Sequence, residues 1–266
     1  MYDYHTHSDF SGDCDIPLTT MIESAIFKGL KEIAVTDHYD PDYHDDNFSF
    51  IPDFDKYHEA LLSYSERYKN KIRVVKGIEI GIQDSVIDEI TQTAVSFEYD
   101  FIIGSFHSSC GVDVMKGDFF EGRDLKSIYV DYYTYMYDCL RKFNDFDVLG
   151  HMNFFERYLA MGEGLADDES FYSDIVDEIL KHLIDNGKGI EFNTSVYRYM
   201  TPVTMPRDFV LARYRELGGE IITIGSDAHT PEAIAFGFDR ATEILRSHGY
   251  KYIATFENRK PSFVKL

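Results

Sequence analysis

The sequence predicts a single α/β domain folded as a closed or nearly closed parallel barrel. Three observations carry this reading. Seven β-rich runs alternate with seven segments of helical periodicity, the signature of repeated strand–helix units. The chain has 266 residues, 44% of them hydrophobic, enough for one large core and within the size range of single α/β barrels. No GxGxxG fingerprint follows the first run, which weakens the second reading, an open doubly wound sheet.

The β-rich runs are YDYHTH at 2–7, KEIAVTDH at 31–38, IRVVKGIEIG at 72–81, DFIIGSFH at 100–107, FDVLGHMN at 146–153, GIEFNTS at 189–195 and EIITIGSDAH at 220–229. After the first, LTTMIESAIFKGL places Met21, Ile22, Ala25, Ile26 and Leu30 on one helical face, with Gly29 near the stop. Segments 55–69, 86–97 and 125–143 follow the next three runs. In the last of these, YVDYYTYMY spaces its aromatics like a helix packed on a barrel. After the fifth run, YSDIVDEILKHLIDNG sets Ile175, Ile179, Leu180, Leu183 and Ile184 on one face and ends at Asn186-Gly187. Segments 207–217 and 231–247 complete the series. Three connections, about 39–54, 108–124 and 194–206, exceed the usual loop length and are expected to shape a pocket.

Lys and Arg number 26 against 47 Asp and Glu, a formal net charge of −21. Such a surface repels nucleic-acid backbones and anionic lipid, so neither nucleic acid nor membrane is an expected partner. Cys14, Cys110 and Cys139 form no CxxC pair, which argues against thiolate zinc and suits a reducing compartment. The first residues lack a basic and then apolar leader, and no run approaches 18 apolar residues; a cytoplasmic location is expected.

The histidines carry the functional signal. His5, His7, His38, His107, His151 and His229 all fall at or just beyond the ends of predicted strands, which converge on one mouth in a parallel barrel. Glu79 and Asp227 end the third and seventh runs, Asp13 lies in the first loop, and Glu191 lies on the sixth run. His5 and His7, and again Asp227 and His229, are two apart, the spacing that puts strand side chains on one face. Imidazoles and carboxylates without thiolates suit zinc, manganese or iron(II), and so many ligands imply at least two ions and favour three. Glu191 and Asn193 are candidates for orienting ligands rather than binding an ion.

HTH at 5–7, TDH at 36–38, GIE at 77–79, SFH at 105–107, GHMN at 150–153 and SDAH at 226–229 together resemble the ordered motifs of the PHP (polymerase and histidinol phosphatase) superfamily. The resemblance implies a distorted (β/α)7 barrel, one domain over 1–266, and a trinuclear site. It implies a first metal on His5, His7, Glu79 and Asp227, and a second on bridging Glu79, His107 and His151. The third would take Asp13, His38 and His229. Length, EFNTS at 191–195 and HMNFFERY at 151–158 resemble the stand-alone histidinol-phosphate phosphatases of that superfamily.

This resemblance implies hydrolysis of a small phosphate monoester, with L-histidinol phosphate as the expected substrate, by a hydroxide bridging two of three divalent ions (Zn, Mn or Fe). Glu79, Asp227 and His229 would form the catalytic metal core. His44, in the second long loop, is a candidate proton donor to the leaving group. Arg157 and Arg198 are candidates for clamping phosphate. Asp118 and Glu121 are candidates for an acidic wall facing a cationic leaving group. Two alternatives stay open: a PHP-type phosphoesterase for nucleotides or other small esters, and a metal-dependent binding module without turnover.

Overall fold

The computed structural model describes residues 1–45, 47–159, 164–166 and 168–266. Seven parallel strands form the barrel wall in chain order: β1 (Tyr2–Thr6), β2 (Glu32–Val35), β3 (Arg73–Gly81), β4 (Phe101–Ser105), β5 (Val148–Leu149), β6 (Gly189–Asn193) and β7 (Ile222–Gly225). Parallel ladders join β1 through β7, that of β1 and β2 with a register shift between Asp3 and Thr6. The barrel closes between β7 and β1 by a single parallel bridge, Thr6 to Ala228, and by hydrogen bonds from Asp227 N to His5 O and His7 N to Ala228 O. The wall is therefore nearly closed and distorted at one seam, the (β/α)7 form expected.

The seven expected helices are present: α1 (Leu18–Phe27), α2 (Phe54–Tyr68), α3 (Ile87–Val95), α4 (Leu125–Leu140), α5 (Ser173–Asp185), α6 (Asp208–Glu216) and α7 (Phe238–Ser247). Their buried faces follow the predicted periodicity. Met21, Ile22 and Ala25 of α1 are buried, as are Tyr129, Tyr132, Tyr133 and Met136 of α4 and Ile179, Leu180 and Leu183 of α5. Asp53 and Asp124 cap α2 and α4 by accepting from the Lys56 and Ser127 N–H groups. Among the described residues no helix is long and apolar enough to cross a membrane.

Several boundaries differ from the sequence reading. The second run breaks after Val35, and His38–Tyr39 forms a separate short strand that pairs with Glu79–Ile80 of β3. The segment expected as a helix over 231–247 begins as the short turn Pro231–Ala233. It forms a helix only from Phe238, because Ala235 turns to φ 54 between the two. An added element is the C-terminal hairpin of β8 (Tyr252–Glu257) and β9 (Lys260–Lys265). Its two-residue turn places both Asn258 (φ 49) and Arg259 (φ 64) in the left-handed region, as tight hairpins of matching twist require.

That hairpin plugs the end of the barrel at which the strands begin. Ala254 and Phe256 join Tyr4, Ala34, Val75, Phe101, Ile103 and Val148 in a core inside the wall, distinct from the larger one between wall and helices. The opposite end, where the strands finish, is left open for the site.

Candidate metal centre

The strand ends bring the expected histidines and acids into one cluster around Glu79. This glutamate is fully buried on β3. Its Oε2 lies 3.3 Å from His5 Nε2, 3.6 Å from His7 Nε2 and 2.9 Å from His38 Nδ1. Its Oε1 lies 2.8 Å from His151 Nε2 and 3.5 Å from His107 Nε2. Asp227 Oδ1 stands 3.5 Å from His7 Nε2 and 3.9 Å from His5 Nε2. Asp13 comes from the first loop and places Oδ2 3.1 Å from His229 Nε2 and 3.8 Å from His38 Nε2. Among the described residues, four triads have side-chain atoms close enough to share an ion: His5–His7–Asp227, His5–Glu79–His151, His38–Glu79–His107 and His7–His38–His229.

The chemistry of these atoms fits metal cations. His5 Nε2, His7 Nε2, His38 Nδ1, His229 Nε2 and Glu79 Oε2 are buried without a hydrogen-bond partner. Such groups are costly to leave unpaired, and here they point at one another. The His7 ring stacks on His38 at 4.3 Å and on His229 at 4.1 Å, an arrangement that disfavours protonating all three. Burial and the neighbouring His229 and His38 hold the His7 imidazole well below its usual range. Burial also opposes charge on His5, yet the Glu191, Glu79 and Asp227 carboxylates outweigh it and push its pKa well up. At His107 burial is again outweighed, by Asp40 and Glu79, which lift it to about 10. The cluster attracts positive charge, as protons or as metal ions.

Behind the cluster, further groups fix the far side of His5, His7 and His107. Glu191 Oε1 accepts from His5 Nδ1 at 2.6 Å, and its Oε2 accepts from His151 N and from Asn193 Nδ2. Glu191 thus contacts two of the histidine residues directly, whereas Asn193 reaches them only through Glu191. Two orienting acids escaped the sequence reading. Asp40 accepts from His107 Nδ1 at 2.8 Å. Asp37 accepts from the Ser11 hydroxyl at 2.9 Å, whose oxygen accepts in turn from His7 Nδ1 at 3.0 Å. Fixing Nδ1 in this way leaves Nε2 of His5, His7 and His107 for an ion. Glycines make room for two of these acids: a Cβ on Gly81 would collide with Asp40, and one on Gly225 with Glu191. Cys14, beside Asp13, donates to the His229 carbonyl.

A cavity of about 330 Å³ opens over the cluster. Arg157 forms part of its wall and is 8% exposed. Its guanidinium lies over the rings of Phe154 at 4.4 Å and Tyr199 at 4.3 Å, donates to the Tyr158 hydroxyl at 2.6 Å, and leaves Nε without a partner. A desolvated guanidinium held by aromatic faces with a free donor is suited to an anion. Arg198 also lines the cavity, but two of its donors are engaged by the Ser226 and Asp227 carbonyls at 2.7 and 2.8 Å. Phe50 and Met115, from two of the long loops, complete an apolar side.

Three expected site residues lie elsewhere. His44 is 87% exposed at its side chain, 3.7 Å from Asp42, and does not line the cavity. Asp118 and Glu121 are exposed, and Asp118 borders a separate groove with Cys110 and Arg123. The reason is local: the 108–124 loop buries Val114 and Phe119, which turns its acids outward. Met115 is what this loop contributes to the cavity.

The comparisons agree with this geometry. Residues 3–195 match the PHP domain family. The chain is 31% identical to a probable histidinol-phosphatase of Clostridium acetobutylicum over 97% of its own length and 98% of the relative's. It is 28% identical to the histidinol-phosphatase of Lactococcus lactis over 97% and 95%. The crystal structure of the histidinol phosphate phosphatase from Lactococcus lactis, complexed with zinc, L-histidinol and phosphate, superposes with a TM-score of 0.84. That similarity covers 98% of both chains at 26% identity. Matched over most of its length and carrying the cluster at the strand ends, the chain belongs to the PHP domain family.

Proposed function

We propose that this protein hydrolyses L-histidinol phosphate to L-histidinol and phosphate, using three divalent transition-metal ions held at the mouth of the barrel. One observation carries the reading: buried, unpartnered imidazole and carboxylate atoms converge around Glu79 beside Arg157, a buried guanidinium with a free donor. The histidinol-phosphatase relatives, one solved with histidinol and phosphate, support the substrate. In this reading His5, His7, Glu79 and Asp227 hold one ion, Glu79, His107 and His151 a second, and Asp13, His38 and His229 a third. The donor set suits zinc, manganese or iron(II). The cytoplasm is the compartment that fits a chain whose three cysteines are free.

Divalent ions at such a site lower the pKa of water to about 7 and neutralise charge on phosphoryl oxygens. The chain's own residues do the rest. Arg157 offers the phosphate its charge and the Nη hydrogens not given to Tyr158 and Ser195, and Phe154 and Tyr199 keep that guanidinium dry, which strengthens its attraction for a dianion. Phe50, Met115 and Phe154 pack against the leaving group and exclude water. Glu191, Asp40 and Ser11 hold the imidazole tautomers so that no reorganisation is needed during turnover.

The decisive test compares kcat/KM for L-histidinol phosphate, a nucleotide and an aryl phosphate on metal-replete protein, with elemental analysis of the same sample. The expected result is preference for L-histidinol phosphate, more than one transition-metal ion per chain, and loss of activity with a chelator. A higher kcat/KM for a nucleotide or aryl ester overturns the substrate. At most one ion after reconstitution with zinc, manganese and iron overturns the metal centre.

A further inference from the structure

The seam between β1 and β7 lacks a regular ladder, and a side chain takes over part of its hydrogen bonding. Asp3 is fully buried on β1. Its Oδ1 accepts from the Ser226 N–H at 2.9 Å, and its Oδ2 accepts from the Ser226 hydroxyl at 2.6 Å and the Ala235 N–H at 2.9 Å. Burying a carboxylate is costly unless its oxygens are satisfied, and these bonds lead to the segment that carries Asp227 and His229. Asp227, directly after Ser226, has φ 54, a left-handed conformation that a residue with a Cβ rarely adopts. Arg198 donates to the carbonyls of the same two residues, and Asp227 N donates to His5 O. The strained turn is gripped by Asp3 at its N–H and hydroxyl and by Arg198 at its carbonyls.

We propose that Asp3 is a positioning residue: it holds the Ser226–Asp227 turn in its left-handed conformation so that Asp227 Oδ1 faces His5 and His7 across the seam. This rests on the metal reading of the site. Asp3 acts through Ser226 and Ala235, with the β1–β7 seam as its point of leverage.

The test is Asp3→Asn, which keeps size and one acceptor oxygen but sets an amide against a backbone N–H. Manganese binding to metal-stripped protein is followed by electron paramagnetic resonance, with circular dichroism, Tm, kcat and KM measured in parallel. Affinity for at least one ion should fall by about tenfold or more, the size found when a group behind a metal ligand is lost. The fall should appear in kcat more than in KM, with the circular dichroism spectrum unchanged. Asp147→Asn is the control. Asp147 is a buried carboxylate at the opposite end, bonded to Ile102 N and Arg259 Nε, so its loss should lower Tm and leave manganese affinity within about twofold. If Asp3→Asn binds manganese as tightly as wild type, or loses no more affinity than Asp147→Asn, the proposal is overturned. If Asp3→Asn does not fold, Ser226→Ala removes only the hydroxyl given to Asp3. It should weaken manganese binding in the same direction, and wild-type affinity there overturns the proposal. Wild-type protein that binds no manganese, zinc or iron would instead defeat the metal reading itself.

Discussion

The two ends of the barrel are built on opposite terms. At the plugged end, Phe256 packs within 4.9 Å of the Phe101 ring, and the polar groups around it are paired. The Tyr4 hydroxyl donates to Glu32 and accepts from Phe256 N, Arg73 meets Glu32, and Arg259 meets Asp147. At the open end, imidazoles stack on one another, His5 Nε2, His7 Nε2, His38 Nδ1, His229 Nε2 and Glu79 Oε2 lack hydrogen-bond partners, and Asp227 is strained. The contrast teaches where stability is made and where it is given up. A site poised for ions must leave lone pairs unsatisfied, and the plugged end supplies ordinary packing to offset that cost.

The largest effect expected is at the plug. Phe256→Ala removes a ring from the core inside the wall and should cost about 3–5 kcal/mol, read from denaturant unfolding. Metal content of the folded fraction should stay at the wild-type value. A variant that keeps its stability would show that the hairpin is an ornament rather than a plug.

Next comes Glu79→Gln, which keeps the volume at the centre of the cluster and removes its charge. It should lower kcat at least about a hundredfold, roughly 2.7 kcal/mol in the barrier, with loss of bound metal. Its stability without metal should also fall, because Glu79 is a buried carboxylate that faces five imidazoles and accepts from the Ser105 hydroxyl. Near-normal turnover with full metal content would refute its bridging role and erase the contrast between the two ends.

How much of this was legible in the sequence follows from the range of the forces involved. The seven strand–helix units and the histidines and acids at their exits depend on local periodicity and position, so the cluster of His5, Glu79, His151 and Asp227 could be read directly. Orientation was legible where an acid sat on a strand, as Glu191 does. Asp40 was missed because its approach to His107 depends on a glycine, Gly81, on another strand. The hairpin was missed because its turn uses Asn258 and Arg259 without glycine, and because Pro261 reads as a strand breaker. The acids of the 108–124 loop were placed by their position in a long loop and by the charge of the expected leaving group, whereas their direction is set by Val114 and Phe119 turning inward.

A smaller effect is expected at Arg157, on the rim of the open end. Arg157→Ala removes charge-assisted donors and should lower kcat/KM for every phosphate ester by a similar factor, about 10- to 150-fold, or roughly 1.5–3 kcal/mol. Tm should barely change, since the aromatic rings that hold the guanidinium remain. Arg198→Ala should differ, because its donors hold the Asp227 turn, and metal affinity should fall along with activity. If both variants lose only phosphate binding, Arg198 is a clamp and no anchor.

The smallest effects belong to the exposed residues that position in a long loop suggests for the site. Asp118→Asn, Glu121→Gln and His44→Ala should each leave kcat/KM for L-histidinol phosphate within about twofold of wild type. Their charges stand in water outside the cavity, where solvent and salt screen them over about 8–10 Å. A cationic leaving group would feel them weakly and a neutral aryl ester not at all, so the two substrates should respond almost alike. The apolar side of the cavity should respond more: Met115→Ala opens the wall of the cavity and should raise KM without moving kcat as far. The measurement is a paired kcat/KM determination on both esters for each variant. A selective loss on the cationic ester in Asp118→Asn or Glu121→Gln would mean that the 108–124 loop folds over the cavity during turnover. The open end would then be closed by acids after all.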